Sequence, residues 1–456
     1  MPKTRNLTWP ALIVLGVGLM VAAVLGVFLY VDATMTPLHP DPQKVPSVTR
    51  SAPPAKWAGS VTQARQAAIA GLAGQNLPGL SVAVGVDGGI VWAEGFGWAD
   101  HEERTPVSPD TRFRITGTSI PVTAAAVGLM LEKHQLDLDE EIQTYVPAFP
   151  KKQWPVTLRL VMGHMAGLRD DGGDEVPRSQ SCVRAAEGLP RFADRPLLFE
   201  PGSRFSFSSY GWILVSAAVE AVADEPFFRF MRKQIFDPLG MTGTTPDSAT
   251  DSIPDRATFY FPRFAAEPRY GPELAQEGDY SCFAGSGGLL STPSDLVRFG
   301  TAFSGGTLLQ PSTVALLQTP QRLASGEETG YGLGWTLETV QLAGGPTPVA
   351  GHAGKFGMGG SSSLITLPQR GIVVAVTTNI SYAIVVEASL SFIGAGAPAD
   401  EPSWGGMLAQ GIQALETAPW MVFFPGLAIS LAVFGLNLLG DSIRDLTDPR
   451  LRGGLG

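Results

Sequence analysis

The pattern of apolar and polar positions predicts a membrane-length segment near each end of the chain. Residues 10–31 carry no charge over 22 positions and follow the basic residues Lys3 and Arg5. An apolar run of this length spans a bilayer, and basic residues beside it tend to remain in the cytoplasm. Residues 420–439 are also uncharged, although a proline and two polar residues interrupt them. The pattern predicts membrane helices at both ends and a main domain outside the cytoplasm; cleavage of the first segment as a signal peptide is the alternative.

Between the two apolar segments, the pattern of residues 36–96 predicts a linker, a helix and a hairpin. Residues 36–56 hold six prolines, which predicts an extended linker without a core of its own. Residues 61–73 have the pattern of a helix. The runs 81–86 and 90–96 are strand-like, and the Asp-Gly-Gly sequence between them is a strong hairpin signal.

The remaining pattern predicts helices that lie between further strands. Residues 117–133 are apolar on nearly every side, which predicts a buried helix. Residues 140–250 have a mainly helical pattern. The sequence 283–300 leads into another helix, for which Ser294 or Asp295 is a candidate cap. Strand-like runs return at residues 332–336, 361–367 and 372–378. Strands at both ends of a domain with helices between them predict an antiparallel sheet and a separate helical subdomain.

Charge and composition narrow the classes of function. The chain has 456 residues and a formal net charge of −10, which argues against a nucleic-acid partner. Its five histidines are scattered without the paired spacing of a zinc site, so neither a metal nor another cofactor is expected. Cys182 and Cys282 are the only cysteines. Outside the cytoplasm such a pair can form a disulfide, and two unpaired buried thiols are the alternative.

Several longer motifs follow one another between residues 57 and 380. Residues 113–124 read Phe-Arg-Ile-Thr-Gly-Thr-Ser-Ile-Pro-Val-Thr-Ala. Further landmarks lie at residues 157–168, 199–205, 235–241 and 331–335, the last reading Tyr-Gly-Leu-Gly-Trp. Together they resemble the β-lactamase-related serine hydrolases, the family of class C β-lactamases, D-alanyl-D-alanine carboxypeptidases and mitochondrial β-lactamase-like proteins. The resemblance implies a β-lactamase/transpeptidase-like α/β (α+β) fold, in which helices flank an antiparallel sheet and form a helical subdomain.

The first active-site motif of that family is altered in this chain. The family carries Ser-x-x-Lys at the start of a helix, where the serine is the nucleophile and the lysine is its base. The matching positions are Gly117 and Ile120, which supply neither a hydroxyl nor an amine. Ser119 is the alternative nucleophile. Two residues along a helix correspond to about 200° of rotation, which is expected to point the Ser119 hydroxyl away from the cleft.

The second motif is also altered, whereas the third persists. The family's Tyr-x-Asn, whose tyrosine moves a proton, reads Phe-Ser-Ser at residues 207–209, so Phe207 lacks the phenol oxygen. Ser209 keeps a hydroxyl that can bind a ligand, and Tyr210 is the alternative carrier of the proton. The third motif reads His-Ala-Gly at residues 352–354. The resemblance implies that His352 faces a substrate carboxylate and that Gly354 keeps the strand edge open to a ligand.

The C-terminal part of the chain carries a second resemblance. Its motifs include Pro-Ser-Trp-Gly-Gly-Met-Leu from residue 402, Asn-Leu-Leu-Gly-Asp from residue 437 and Asp-Pro-Arg from residue 448. They resemble the C-terminal end of the membrane subunits of dipeptide and oligopeptide ABC importers. The predicted organisation is therefore an anchor (1–35), a linker (36–56), a β-lactamase-like domain (57–382) and a permease-like fragment with one membrane helix (383–456). A truncated, fused or misassembled gene is an open alternative for this junction.

The sequence thus predicts a homologue of serine hydrolases that is anchored in the cell (inner) membrane and has lost acyl-enzyme chemistry. A peptide or acyl small molecule is the candidate ligand, and His164 is expected to be a buried, hydrogen-bonded residue rather than a catalyst. The first alternative is an active serine hydrolase or peptidase with a rearranged site that uses Ser119 or a water molecule. The second is a component of a peptide transporter. One hydrophobic segment cannot enclose a polar route through the membrane, so ABC transporter subunits are not expected as partners.

Overall fold

The fold is described from a computed structural model of the chain. The structure describes residues 26, 29–30, 33–50, 52–170, 180–249, 252–263, 268–275, 277–342, 345–354 and 359–380. Most of the predicted anchor and all of the permease-like fragment lie outside these residues. Among the helices in the described ranges, none is both long enough and apolar enough to cross a membrane.

The strands form one large antiparallel sheet and two small ones. The strands are β1 Ser47–Thr49, β2 Gly79–Val86, β3 Gly89–Asp100, β4 Thr105–Pro106, β5 Phe113–Arg114, β6 Thr245–Pro246, β7 Tyr260–Pro262, β8 Pro272–Leu274, β9 Leu289–Ser291, β10 Thr336–Leu342, β11 Gly345–Gly354, β12 Ser361–Leu367 and β13 Ile372–Thr378. The large sheet has the order β1-β3-β2-β13-β12-β11-β10, with β4 beside β3. Because β2 pairs with β13, the early and late parts of the domain meet at the centre of this sheet.

The helices pack on both faces of the large sheet. They are α1 Ala58–Gly74, α2 Ser119–Glu132, α3 Leu158–Met162, α4 Ser209–Ala223, α5 Phe227–Met231, α6 Pro293–Ser304 and α7 Pro311–Leu317. Short 3₁₀ turns lie at Pro42–Lys44, Ala55–Trp57, Thr116–Thr118, Ile142–Thr144, Ala185–Arg191, Pro268–Tyr270, Ser281–Ser286 and Pro368–Arg370, and a π turn at Arg232–Phe236. On one face, α1 buries Val61 and Leu72 in the same apolar cluster as Val82 of β2. On the other face, α6 approaches so closely that a Cβ on Gly85 would lie 2.6 Å from Val297 Cγ1.

Most of the predicted elements of the domain are present with shifts of a few residues. The predicted helix 61–73 is α1, the predicted runs 361–367 and 372–378 are β12 and β13, and the antiparallel sheet is confirmed. In the predicted hairpin, Asp87 and Gly88 both adopt positive φ, of 48° and 91°. This is the backbone that a two-residue turn between twisted strands requires. The predicted buried helix is α2, whose residues from Ser119 to Gly128 are all buried.

Part of the predicted linker, residues 36–56, packs on the domain. Residues 47–49 form β1, which pairs with β3 at the edge of the large sheet. Upstream of it, His39 is buried, and its Nε2 lies 3.0 Å from the carbonyl oxygen of Leu77. The backbone amide of Leu38 donates to Asn76. Proline does not prevent this packing, because an edge segment needs only part of its backbone hydrogen bonds.

Two local predictions in the second half of the domain are wrong. The strand predicted at residues 332–336 begins only at Thr336, because Gly334 lies at a φ of 93°. A Cβ there would lie 2.8 Å from Ala124 Cβ, so the turn is fixed by its close packing on α2. The cap of α6 is Thr292 rather than Ser294 or Asp295, since its hydroxyl accepts from the backbone amide of Asp295.

A buried ion pair joins the strand before α2 to the rest of the domain. Arg114 Nε lies 2.5 Å from Asp247 Oδ2, and the two side chains are 2% and 0% exposed. The guanidinium also lies over the rings of Phe259 and Tyr280, at 4.0 and 4.2 Å from their centroids. Arg256 bonds the other carboxylate oxygen. Because both charges are removed from water, each depends on its partner.

We expect Asp247→Ala to reduce the free energy of unfolding by about 3–5 kcal/mol, because it leaves the Arg114 guanidinium buried without its carboxylate. Asp139→Ala is the matched control, since Asp139 is 67% exposed in its pair with Arg159. Its expected loss is below about 1 kcal/mol. Urea unfolding followed by tryptophan fluorescence measures both values, and equal losses for the two variants would contradict the prediction.

Candidate active site

The first turn before α2 lies directly against the end of β11. Gly117 is half-buried in the 3₁₀ turn Thr116–Thr118. A Cβ atom on Gly117 would lie 3.0 Å from the carbonyl oxygen of Ala353 and 3.3 Å from Cε1 of His352. The absent side chain at residue 117 would therefore point at the His-Ala-Gly strand. This is the place where the resemblance puts a nucleophile, and the chain has only backbone there.

The other two altered positions lie on either side of this contact. Ile120 is 0% exposed and belongs to the main apolar core, one helical turn beyond Gly117. Phe207 is 38% exposed, and its ring centroid lies 4.4 Å from that of His164 and 6.2 Å from that of His352. The structure thus places Gly117 and Phe207 around the same histidine. Neither Ile120 nor Phe207 can accept or donate a proton.

The hydroxyl of Tyr331 links two buried histidines, His164 and His352, next to these altered positions. Tyr331 Oη lies 2.9 Å from Nε2 of His352 and 3.2 Å from Nε2 of His164. Nδ1 of His352 lies 3.0 Å from the carbonyl oxygen of Ala353, which can only accept a hydrogen bond. The network therefore assigns the proton of neutral His352 to Nδ1, and its Nε2 accepts from the Tyr331 hydroxyl.

His164, the second histidine of this hydrogen-bonded network, is held by the loop before α4. The backbone amide of Ser208 donates to Nδ1 of His164 at 3.1 Å. Nε1 of Trp212, which can only donate, points to Nε2 of His164 at 3.3 Å, and the Tyr331 hydroxyl lies near the same nitrogen. The expectation that His164 is buried and hydrogen-bonded agrees with this arrangement, in which it is 2% exposed.

Burial keeps the side chains of His352, His164 and Tyr331 neutral. It lowers the pKa of His352 to about 4, although the hydrogen bond to Ala353 acts in the opposite direction. Burial, and secondarily the nearby His352, lower the pKa of His164 well below its usual value. Burial raises the pKa of Tyr331 well above 10. At neutral pH this part of the site therefore carries no charge, since the charged forms would lose their hydration.

His352 differs from its expected role as the residue that faces a substrate carboxylate. It is 6% exposed, both of its ring nitrogens are bonded within the protein, and it is neutral at pH 7. A neutral imidazole without a free donor offers little attraction to a carboxylate. Gly354 also differs from the expected open edge. A Cβ there would lie 2.0 Å from Thr116 Oγ1, so the space beside its Cα is filled.

Ser209, the other expected ligand contact, is bonded to a carboxylate. Its hydroxyl and its backbone amide donate to Oδ1 of Asp170, at 2.5 and 2.7 Å. Ser208 precedes it as the cap of α4, and its hydroxyl accepts from the amide of Gly211. Asp170 was not singled out by the sequence, because it lies 37 positions before the altered Phe207 motif and only the fold brings the two together. Tyr331 was missed for a different reason, since it was treated only as a landmark of the fold.

Ser119, the alternative nucleophile, and Tyr210, the alternative proton carrier, lie inside the domain. Ser119 is 0% exposed, and its hydroxyl has no hydrogen-bond partner among the described residues. Tyr210 is also 0% exposed, and its ring stacks on that of Phe192 with centroids 4.8 Å apart. Neither hydroxyl is accessible to a ligand in this arrangement, which agrees with the expected orientation of Ser119.

A disulfide joins two parts of the domain that lie 100 residues apart in the sequence. Cys182 and Cys282 are joined, with Cα atoms 4.8 Å apart. The backbone amide of Cys182 donates to the hydroxyl of Ser281, and both cysteines are buried. The bond connects the start of the segment before Ala185–Arg191 to the turn Ser281–Ser286, which packs on α4.

Comparisons with known proteins match both parts of the chain. The mouse mitochondrial serine beta-lactamase-like protein LACTB is 28% identical over 412 residues, covering 66% of this chain and 74% of that protein. The octameric penicillin-binding protein homologue from Pyrococcus abyssi has the same fold, with a TM-score of 0.64, 22% identity, and coverage of 77% and 81% of the two chains.

The C-terminal segment matches a different class of protein. A putative peptide transport system permease from Brucella suis is 44% identical over 81 residues, which is 18% of this chain and 27% of the permease. Both resemblances drawn from the sequence are therefore confirmed. A sequence model described as Beta-lactamase matches residues 64–391. Since that match covers more than half of the chain, the protein belongs to the beta-lactamase family.

Proposed function

We propose that this protein is a beta-lactamase family member that binds ligands in its cleft without forming an acyl-enzyme. The observation that carries the proposal is Gly117, which faces the strand of His352 and has no side chain to act as a nucleophile. Acyl transfer needs an activated hydroxyl or thiol at that place. The chain instead presents a backbone turn.

Three described residues around Gly117 support the same proposal, because none of them is an effective base. Ile120 fills its position with an apolar side chain in the core. His352 is a weak base with a pKa of about 4, and its Nε2 already accepts from Tyr331. Phe207 has no oxygen to move a proton. General acid–base groups typically contribute about 10²–10⁴ in rate, and nucleophile, base and proton carrier act as a unit.

The burial of Ser119 argues against the alternative of a rearranged hydrolase. Its hydroxyl is 0% exposed, so an acyl group cannot reach it without movement of α2. A water molecule acting as the nucleophile would need a base, and the neutral pair of His164 and His352 is a poor one at pH 7. We therefore prefer binding of a peptide or acyl small molecule, for which the exposed face of Phe207 and the Ser209–Asp170 pair are the contacts.

We further propose that the domain lies outside the cytoplasm and is held at the cell (inner) membrane by the apolar segments at residues 10–31 and 420–439. The disulfide between Cys182 and Cys282 supports an oxidising compartment, because such bonds persist mainly outside the cytoplasm. The permease-like tail then serves as an anchor. It is too short to build a transport pathway of its own.

We expect the unmodified protein to remain unlabelled by a fluorescent penicillin, because no side chain at residue 117 can form the ester. Intact mass spectrometry after prolonged incubation measures this, with a limit of a few per cent of adduct set by the instrument background. A stoichiometric mass increase on the folded protein, located on any side chain, would refute the proposed absence of acyl-enzyme chemistry.

We expect the triple variant Gly117→Ser, Ile120→Lys and Phe207→Tyr to form a slow covalent adduct with the same penicillin. The change supplies a nucleophile, a base and a proton carrier at the three altered positions. Peptide mapping should locate the adduct at residue 117. The double variant that lacks Gly117→Ser is the matched control and should stay unlabelled; equal labelling of the two would show that the reaction occurs elsewhere.

We expect the full-length chain to stay with membranes after an alkaline carbonate wash, because apolar segments of about 20 residues partition into the bilayer. Protease added outside intact spheroplasts should digest the domain at residues 57–382. A cytoplasmic marker protein serves as the control for leakage. Release by carbonate, or protection of the domain from protease, would contradict the proposed location.

A further inference from the structure

The turn Thr116–Thr118 packs closely against strand β11 of the large sheet. The altered catalytic residues do not by themselves account for this close packing. A Cβ on Gly117 would already lie 3.0 Å from Ala353 O, which is closer than most carbon–oxygen contacts. An ester at residue 117 needs room for a Cβ, an oxygen and the carbonyl group of the ligand. At the present separation of the turn and β11, a side chain at residue 117 would meet the strand at its first carbon atom.

Two buried hydroxyls hold this turn against the sheet. Thr118 Oγ1 donates to the carbonyl oxygen of His352 on β11, at 3.3 Å. Ser362 Oγ of β12 lies 2.6 Å from the carbonyl oxygen of Ile115 and 2.7 Å from Thr118 Oγ1, and its single proton can be donated to one of these two acceptors at a time. Thr118 is 0% exposed and Ser362 1% exposed. Hydrogen bonds in such a dry place do not compete with water, so each resists separation of the turn from the strands.

Thr116 fills the remaining space beneath Gly117. It is 2% exposed, and its hydroxyl lies against Gly354, where a Cβ would be 2.0 Å from Thr116 Oγ1. Its φ is 43°, a backbone conformation that costs energy for a β-branched residue. The turn keeps this strained geometry while it stays packed on β11.

We propose that Thr116, Thr118 and Ser362 form a latch that holds the first turn before α2 against β11 and slows the access of reacting groups to residue 117. The latch deepens the proposed function, since it restricts the ligand to the outer part of the cleft, beside Phe207. It is a separate physical obstacle, because it acts through space and hydrogen bonds rather than through the absence of a nucleophile. These are positioning residues, and none of them takes part in chemistry.

The test measures access to residue 117 with a thiol, so that it does not depend on acyl transfer. Both native cysteines are in the disulfide, and the sequence has no others, so Gly117→Cys introduces the one free thiol. Its rate of reaction with iodoacetamide is measured by intact mass under non-reducing conditions, over a range of pH, and divided by the rate in urea. The pH range gives the pKa of the folded thiol in each variant, and the rate of the thiolate divided by its rate in urea then reports access.

The decisive comparison adds Thr118→Val, which keeps the shape of the side chain and removes its hydrogen bonds. We expect the thiol to react at least about tenfold faster than in Gly117→Cys alone, the equivalent of about 1.4 kcal/mol. Thr123→Val is the matched control. Thr123 is also a buried threonine near the start of α2, and its hydroxyl bonds Ser119 and Gly285 rather than the sheet. This control should change the rate by less than about twofold, well under a tenfold effect.

The outcomes separate the latch from the proposed function. An unchanged rate with Thr118→Val, or an equal increase with Thr123→Val, overturns the latch and leaves the proposal of absent acyl-enzyme chemistry intact. Labelling of the unmodified protein by penicillin overturns that proposal and leaves the thiol comparison to be judged on its own rates. If Thr118→Val does not fold, Ser362→Ala removes the partner hydroxyl from β12 and is held to the same expected increase.

Discussion

The close approach of the turn Thr116–Thr118 to the end of β11 is the constraint on which the candidate site depends. In this fold the start of α2 and the strand of His352 come from opposite ends of the domain, and the central pairing of β2 with β13 brings them together. The Arg114–Asp247 pair fixes the strand that leads into the turn. The position of Gly117 is therefore set by the whole sheet, and the residue itself contributes no side chain.

A second property of the site, its lack of charge, is consistent with the first. A lysine at residue 120 would place an amine in a fully buried position, where an unpaired charge is costly. Ile120 removes that cost and adds apolar contacts in the core. The buried groups His164, Tyr331 and His352 are likewise uncharged. The Tyr331 hydroxyl joins the two histidines, and burial disfavours the charged form of each of the three groups.

The sequence predicted the parts of the fold that depend on local patterns. The hairpin at residues 87–89, helix α1 and strands β12 and β13 each have a local signal in turn residues or apolar period, and they occur where predicted. The strand predicted at residues 332–336 failed because the φ of Gly334 is set by packing against Ala124, which is distant in the chain. The sequence pattern did not predict the packing of His39 for the same reason, since its partner Leu77 is distant in the chain.

For the candidate site, too, the sequence predicted the features that depend on local motifs and missed those that depend on distant residues. The altered positions Gly117, Ile120 and Phe207 were found from motifs, because the family's chemistry is written at fixed spacings. The state of His352 was not, because its pKa and its hydrogen bonds depend on Tyr331 and on burial by several elements. A motif states which side chain is present, whereas its protonation and access depend on what the fold places around it.

The first turn before α2 shows how stability and activity separate in such a site. Replacement of a buried amine by Ile120 favours the folded state, because it removes a desolvated charge. Thr116 acts in the opposite direction, since a β-branched residue at a φ of 43° is strained. Contacts elsewhere in the turn must therefore compensate for the strain at Thr116. The contact of Thr116 with Gly354 and the bonds of Thr118 and Ser362 provide this compensation, because they stabilise the closed turn that the strained backbone permits.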